Sequence, residues 1–308
     1  MYEKAALLTF YAETPIHMGS GQSVSYVDLP IQRERHTSFP VLWASGIKGV
    51  IRNLALRKWN DKDKVNTIFG PDPEDASDYA SCISITDAKI LLYPVRSAKG
   101  VFAWITCPFV LKRFIEDLKA VKINFEYNIH DVLNEKVFLD EKVFIAKDNL
   151  KIQEKKIVAL EEFVFEAEVN EEAKKLAEKL KEFIPQNDLT NALENHFAIV
   201  SDDVFKDFVN YAVEIRTRIR IDQAKGTVKE TALFSEELVP SESVFYSLLF
   251  IKDSFKPNSN MNAENVFSEI MSLLSENSLL QLGGDETIGR GYVRVNIYAE
   301  EVSNEKDN

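Results

Sequence analysis

Ser45-Gly46-Ile47-Lys48-Gly49-Val50-Ile51-Arg52 opens the first helix expected in this chain, and the run Tyr26-Val27-Asp28-Leu29-Pro30-Ile31-Gln32-Arg33-Glu34-Arg35-His36 leads into it through Phe39-Pro40. Ser45 reads as an N-cap, which predicts a helix over 45–58 whose first backbone N–H groups point outward at the positive end of the dipole, where an anion is favoured. Lys48 and Arg52 are four apart and share one face, while Ile47, Val50, Ile51 and Leu54 fall on another. The combination predicts a phosphate seat, with the carboxylate of Asp28 tethered nearby in sequence.

On the N-terminal side, Lys4 to Tyr11 is apolar and β-prone and stops at Thr14-Pro15, which predicts a strand over 4–11. Ile16 to Pro40 then forms a long loop with Gly19, Gly21 and Pro30; loops of this length inside compact domains tend to be functional or disordered. On the C-terminal side a polar stretch from Asn60 to Ser81 precedes a buried strand, Ile83 to Tyr93. A turn at 97–100 follows, then a second apolar run, Val101 to Thr106, and a short helix opened by Pro108. From about Lys119 to Pro240 the pattern is weakest. There Asn170 caps a helix that puts Ala173, Leu176, Leu180, Phe183 and Ile184 on one face, and a hairpin is expected from Val213 with its turn near Lys225-Gly226. The last third is clear again: a strand from Ser243 to Ile251, a helix from Asn262 to Ser275 and a strand from Tyr292 to Tyr298. This order is that of an α+β, ferredoxin-like (RRM-like) β-α-β-β-α-β palm, a topology also used by RNA-recognition modules. The expected organisation is a single decorated domain over 1–308, with its core from 1–58, 83–93 and 243–298. Insertions at 60–81 and 94–241 complete it, the second ending in a β-hairpin at about 213–240.

A chain of 308 residues, 45% of them apolar, can bury a sizeable core without staples. Cys82 and Cys107 form no CxxC pair, and no stretch has the length of a membrane span or the layout of a signal peptide, so a reduced, cytoplasmic protein with no membrane partner is expected. The net charge of -12 argues, as an average, against a nucleic-acid partner. The average hides a contrast: residues 1–60 hold seven Lys/Arg against four Asp/Glu, residues 89–113 hold five basic residues and no acid, and residues 213–229 hold five against Glu214 and Asp222. A basic groove on an acidic body is the prediction.

Each candidate has a plain reading beside its functional one. Asp28 suits a general base or metal ligand, but an aspartate two residues before a proline is commonly a turn former. Gly283, Gly284, Gly289 and Gly291, with Arg290 among them, allow backbone to pass close to a ligand and cradle phosphate, or simply make a turn; no Lys-Ser/Thr pair follows, so this is not a nucleotide-binding P-loop. Arg216, Arg218 and Arg220 alternate with apolar residues and Thr217, so a strand would place all three guanidiniums on one face, as a rail for a phosphate backbone or as a charged edge that discourages aggregation. The four histidines (His17, His36, His130 and His196) have no zinc-site spacing, although His17 and His36 flank the Asp28 loop. Arg33, Arg35 and Arg96 join the RNA-binding candidates by position in the basic stretches.

The stretches 14–21, 28–37 and 45–52 resemble the backbone subunit of the Cmr complex, the type III-B CRISPR effector, whose subunits belong to the RAMP superfamily. Asp87-Ala88-Lys89, Pro94-Val95-Arg96-Ser97, Gly100-Val101 and Gly283–Gly291 continue the likeness over nearly the whole chain. The resemblance implies a palm with a hairpin thumb at about 213–240, assembled as several copies in a helical filament along one CRISPR RNA beside other Cmr-complex subunits, and a metal-dependent endoribonuclease that cuts guide-complementary target RNA. It implies that Asp28 cleaves, with Glu230 as a further site acid, that Ser45, Lys48 and Arg52 bind guide, and that a divalent cation (Mg or Mn) is required, with Asp28 a possible ligand; His17 joins the catalytic candidates by its place beside the Asp28 loop. A non-catalytic RNA-binding scaffold and a guide-precursor processing nuclease are the alternatives.

Overall fold

The computed structural model describes residues 2–24, 26–75, 77–125, 127, 142–152, 155–222, 227–276 and 279–300; the side chains of 220–222, 227–232 and 276 are outside that description. The elements run β1 (Lys4–Ala12), β2 (Val41–Leu42), α1 (Ala44–Trp59), α2 (Lys62–Phe69), β3 (Ile83–Ile85), β4 (Ala88–Arg96), β5 (Phe102–Thr106) and α3 (Pro108–Ala120). They continue as β6 (Lys142–Ile145), β7 (Ile157–Leu160), β8 (Phe163–Val169), α4 (Glu171–Leu180), β9 (Phe197–Ile199), α5 (Asp202–Tyr211), β10 (Glu214–Asp222), β11 (Thr227–Leu238), β12 (Val244–Ile251), α6 (Ala263–Glu276), β13 (Leu279–Gln281) and β14 (Tyr292–Tyr298).

Four strands form the palm. Their order is β14-β1-β12-β4, every neighbouring pair antiparallel, which is the ferredoxin-like arrangement with α1 and α6 as its two crossover helices. β1 is buried from Ala6 to Ala12, as a continuous apolar run covered on both faces should be. Register shows what covers one of them: Thr9 stands opposite Tyr246 and Asn296, so the three point the same way. Thr9 Oγ1 (2.5 Å) and Asn296 Nδ2 (3.0 Å) both donate to the Phe183 carbonyl, while Tyr246 packs edge-on against Phe114 of α3. The segment after α4 is thus fastened to the centre of the palm by hydrogen bonds from its strands.

The sheet does not end with the palm. β4 is long enough to pair with β12 and β2 near its start and with β5 near its end, and from β5 the ladder continues through β9, β6, β8 and β7. Two of these pairings, β5 with β9 and β6 with β8, are parallel and join distant stretches of chain. Trp104, fully buried on β5, donates its indole N–H to the Glu242 carbonyl at 2.7 Å, just where the chain re-enters the palm. β10 and β11 stand apart as a two-stranded sheet, with residues 223–226, including the expected Lys225-Gly226 turn, outside the described residues.

Three details differ from the sequence reading. The strand expected over 83–93 is two strands, because Thr86 and Asp87 turn their side chains to other work: Thr86 Oγ1 accepts the Leu248 N–H (2.9 Å), and Asp87 Oδ1 accepts the Ala44 N–H (2.7 Å). The polar stretch 60–81 holds a helix, α2, capped by Asp61 and burying Val65, Ile68 and Phe69 on one side. Finally, α1 starts one residue before Ser45 and its N-cap is Trp43, which offers no side-chain cap; Asp87 reaches across space to do that work, so Ser45 lies inside the first turn.

Replacing Trp104 with Ala should cost about 3–5 kcal/mol of unfolding free energy, through the cavity and the stranded Glu242 carbonyl. Urea denaturation monitored by circular dichroism measures it, and a loss below about 1 kcal/mol would contradict a packed junction between palm and extension.

Candidate cleavage site and nucleic-acid interface

The long loop from Ile16 to Pro40 is shaped by four isolated bridges: Ile16 with Val239, Gly19 with Ile31, Leu29 with Glu236, and Arg33 with Pro40. Two of them reach the returning strand of the hairpin and its continuation. Leu29 N donates to Ser235 O and Glu237 N donates to Leu29 O, both at 3.0 Å, so the segment carrying Asp28 runs alongside β11 as a short parallel strand.

Asp28 is exposed, and its partner is Ser235. Oδ2 accepts the Ser235 N–H (2.7 Å) and hydroxyl (2.8 Å), while the Asp28 N–H donates to Ser235 Oγ (3.0 Å). These bonds to the charged form hold the carboxyl below its ordinary range, the backbone N–H contributing most. Oδ1 has no hydrogen bond to another described residue.

The next two residues of β11 are buried acids that sequence reasoning passed over. Glu237 Oε2 accepts the Ile31 N–H (3.0 Å) and Oε1 accepts from Arg33 (2.5 Å). Glu236, on the opposite face, meets Arg218 at 3.4 Å and His17 Nε2 at 3.8 Å; burial first, then its contact with Asp285, push Glu236 up, while the same contact holds Asp285 down. His17 Nδ1 lies 2.8 Å from the Glu237 carbonyl, which makes Nδ1 the protonated nitrogen and leaves Nε2 turned toward Glu236. His17 therefore sits inside this cluster, 9% exposed, beneath the loop.

The glycine loop packs on the same histidine. Gly284 N donates to His17 O (2.8 Å) and Gly291 N to Pro15 O (2.9 Å). A Cβ on Gly283 would stand 2.3 Å from His17 O, and one on Gly291 1.9 Å from Leu282 O, with φ at +84° and +74°, so close backbone approach dictates both glycines. Gly289, also at positive φ, faces open space. Arg290 is buried, and its Nε has no hydrogen-bond partner among the described residues.

The expected phosphate contacts divide into free and occupied groups. Lys48 is half-buried, its Nζ 3.3 Å from the Ile83 carbonyl, and burial first, then the charge of Arg52, lower its pKa. Arg52 donates to Gly70 O (2.6 Å), Asn66 (2.8 Å) and Asp72 (3.1 Å), tying α1 to the chain beyond α2. Arg33 is held by Glu237, Ser38 O and Val209 O; Arg96 by Glu161 and Glu162; Arg216 by Glu214; Arg218 by Asp285 at 2.7 Å. Arg35 is exposed with no partner among the described residues. The pairing register shifts between Ile219 and Ile221, so Arg220 interrupts the regular alternation; its side chain and that of Glu230 lie outside the described residues. Of the cations in the three basic windows, Lys4, Arg33, Arg52, Lys89, Arg96, Arg113, Arg216 and Arg218 are paired with carboxylates. Among the described residues no group of three or more His, Cys, Asp or Glu could hold a metal ion, and no helix is long and apolar enough to cross a membrane.

The chain belongs to the RAMP superfamily, whose family model matches residues 9–294. It is 40% identical over 306 residues to the CRISPR system Cmr endoribonuclease Cmr4 of Pyrococcus furiosus, covering 98% of this chain and 97% of that one. Its structure is similar to the crystal structure of oligomeric Cmr4 from Pyrococcus furiosus, with a TM-score of 0.71, 33% identity and coverage of 97% of this chain and 100% of that one. It is similar also to a chain in the cryo-EM structure of the type III-B Cmr-beta complex bound to cognate target RNA, with a TM-score of 0.75, 27% identity and coverage of 96% and 98%.

The Glu236–Asp285 contact yields a pH prediction. A carboxyl raised in the folded state contributes stability that is present below its unfolded pKa and is lost as pH rises through the folded value. Glu236→Gln, which keeps a donor for Asp285 without the buried charge, should therefore melt no lower than the parent at pH 8, whereas Glu236→Ala should lose about 1–3 kcal/mol by orphaning its neighbours. Thermal melts of the three proteins between pH 5 and 8 measure this, and a Gln variant destabilised as much as Ala at pH 8 would contradict it.

Proposed function

We propose that this chain is the CRISPR RNA-binding backbone subunit of a type III-B effector, that it assembles with further copies of itself and with other Cmr subunits, and that it cuts guide-complementary target RNA. The single observation that carries the reading is Asp28: an exposed carboxylate, one oxygen fixed on the hairpin strand and the other with no hydrogen bond to another described residue. The likeness to a named Cmr endoribonuclease over nearly the full length of both chains supports it. The cytoplasm is the proposed location, consistent with the buried, free thiols of Cys82 and Cys107.

RNA supplies its own nucleophile. Attack of a ribose 2′-oxygen on the adjacent phosphorus forms a 2′,3′-cyclic phosphate and breaks the bond to the 5′-oxygen; the 2′-hydroxyl proton passes to water and water returns one to the leaving 5′-oxygen, so the step needs chiefly that the nucleotide be splayed with the two groups in line. The hairpin β10–β11 is the element proposed as the thumb that splays it. A carboxylate held below its ordinary range is a weak proton acceptor, so Asp28 acts through its constant negative charge, orienting the 2′-hydroxyl by hydrogen bonding through Oδ1. A divalent ion such as Mg or Mn would be held by Asp28, an exposed carboxylate, and would supply neutralising charge. His17, buried against Glu236, supports the loop from beneath. For guide RNA, sequence is read by base pairing, so the protein grips backbone and shape, through Lys48, Arg35 and the close approach that the open space at Gly289 permits.

Asp28→Asn, assembled with guide and matched target, should stop cutting while target affinity stays within about threefold of the parent, and a 2′-deoxy nucleotide just 5′ of the cut should block the parent. Gel analysis of cleavage products together with a filter-binding isotherm decides; undiminished cutting by the variant would leave only a guide-holding scaffold. Lys48→Ala should weaken RNA binding for all sequences alike and reduce the slope of log K against log salt by about one, measured by titrating salt in the binding assay. A loss confined to particular sequences would argue against a phosphate contact.

A further inference from the structure

We propose that Ser235 is a positioning residue for the cleavage carboxylate, fixing the direction of Asp28 from the hairpin strand; the inference rests on the reading of Asp28 given above. An exposed aspartate on a loop ordinarily samples several rotamers; its own loop holds the Asp28 carbonyl through Ser23 N–H (2.9 Å), but no described residue of that loop bonds the carboxyl. The restraint comes from one residue 207 positions away in sequence. The Ser235 hydroxyl accepts from the Asp28 N–H (3.0 Å) and donates to Asp28 Oδ2 (2.8 Å), while the Ser235 N–H donates to the same oxygen (2.7 Å). With Oδ2 held twice, the plane of the carboxyl is set and Oδ1 can point in one direction only. Leu29 N to Ser235 O and Glu237 N to Leu29 O lock the flanking backbones in register, so the loop cannot slide along the strand.

The hydroxyl's double role is what assigns it. One atom must both accept from a backbone amide and donate to a carboxylate; a serine or threonine does this, and an alanine does neither. Charge-assisted bonds of this kind are stronger than neutral ones, and misplacing a reacting group by an ångström can cost about a hundredfold in rate. The backbone N–H of Ser235 remains whatever the side chain, so loss of the hydroxyl loosens Asp28 without detaching its loop. Ser235 thereby makes the hairpin and the Asp28 loop one mechanical unit: wherever the base of the hairpin is carried by a bound duplex, the carboxylate is carried with it.

The test uses the assembled effector with guide and matched target, comparing the parent with S235A, S235T and D28N in single-turnover cleavage and in target binding. S235A should cut about ten- to a hundredfold more slowly at saturation with affinity unchanged within about twofold, and S235T should recover to within about threefold of the parent. S235A cutting at the parental rate while D28N is silent would overturn the proposal and leave the reading of Asp28 intact. A loss in S235A that appears equally in binding or assembly and is not recovered by threonine would also overturn it, as the mark of a merely structural strand residue. Parental cutting by D28N would remove the reading of Asp28 itself, and the proposal with it, and is read on a different variant.

Discussion

Three successive residues on the returning strand of the hairpin, Ser235, Glu236 and Glu237, hold the candidate site together. Side chains alternate along a strand, so Ser235 and Glu237 address one side and Glu236 the other. On the first side they grip the long loop, at Asp28 and at Ile31 and Arg33. On the second, Glu236 meets His17, Arg218 and Asp285, beside the glycine loop. A single strand segment therefore joins the β10–β11 hairpin, the Asp28 loop and the last turn of the palm, three parts far apart in sequence. Glu236 and Glu237 are nearly inaccessible to water, and buried acids persist only when charged partners or shared protons compensate their desolvation.

Charge distribution follows the same logic at larger scale. Arg113 of α3 makes a two-pronged contact with Glu34 in the loop, at 2.5 and 2.9 Å, and Arg33 crosses to Glu237 and to carbonyls of α5 and of its own loop. These cations anchor the loop between α3, α5 and the hairpin, and planar guanidinium suits them because it satisfies several acceptors at once. Among the described residues, Lys48 and the exposed Arg35 are not held by a carboxylate. For the proposed hold on guide RNA, shape and a few phosphates suffice when pairing reads the bases.

The palm was legible because its elements carry strong, local signals, such as a continuous apolar run in β1 and an apolar stripe in α6; outside it, Pro108 and Asn170 marked two further helix starts. The extension through β5, β9, β6 and β8 was not, because its strands are short and its parallel pairings join distant stretches that no local pattern reveals. The Ser45 cap was misassigned for the same reason, Asp87 acting through space rather than along the chain. Asp28 was visible as a residue but its anchor was not, since a serine in a strand carries no signature. Glu236 and Glu237 did carry one: two adjacent acids inside the run Leu233-Phe234-Ser235-Glu236-Glu237-Leu238-Val239 contradict an otherwise apolar strand, and such a contradiction commonly marks a buried, paired charge.

The central claim is geometric, that Oδ1 of Asp28 is aimed at the scissile ribose while Oδ2 stays on Ser235. A cryo-EM structure of the assembled effector on a matched target carrying 2′-deoxyribose at the cut position measures this directly. The account predicts Asp28 Oδ1 about 3–4 Å from the 2′ carbon of that nucleotide, with the Ser235 contacts retained. An Asp28 carboxylate turned away from the RNA, with a different side chain at that carbon, would contradict it.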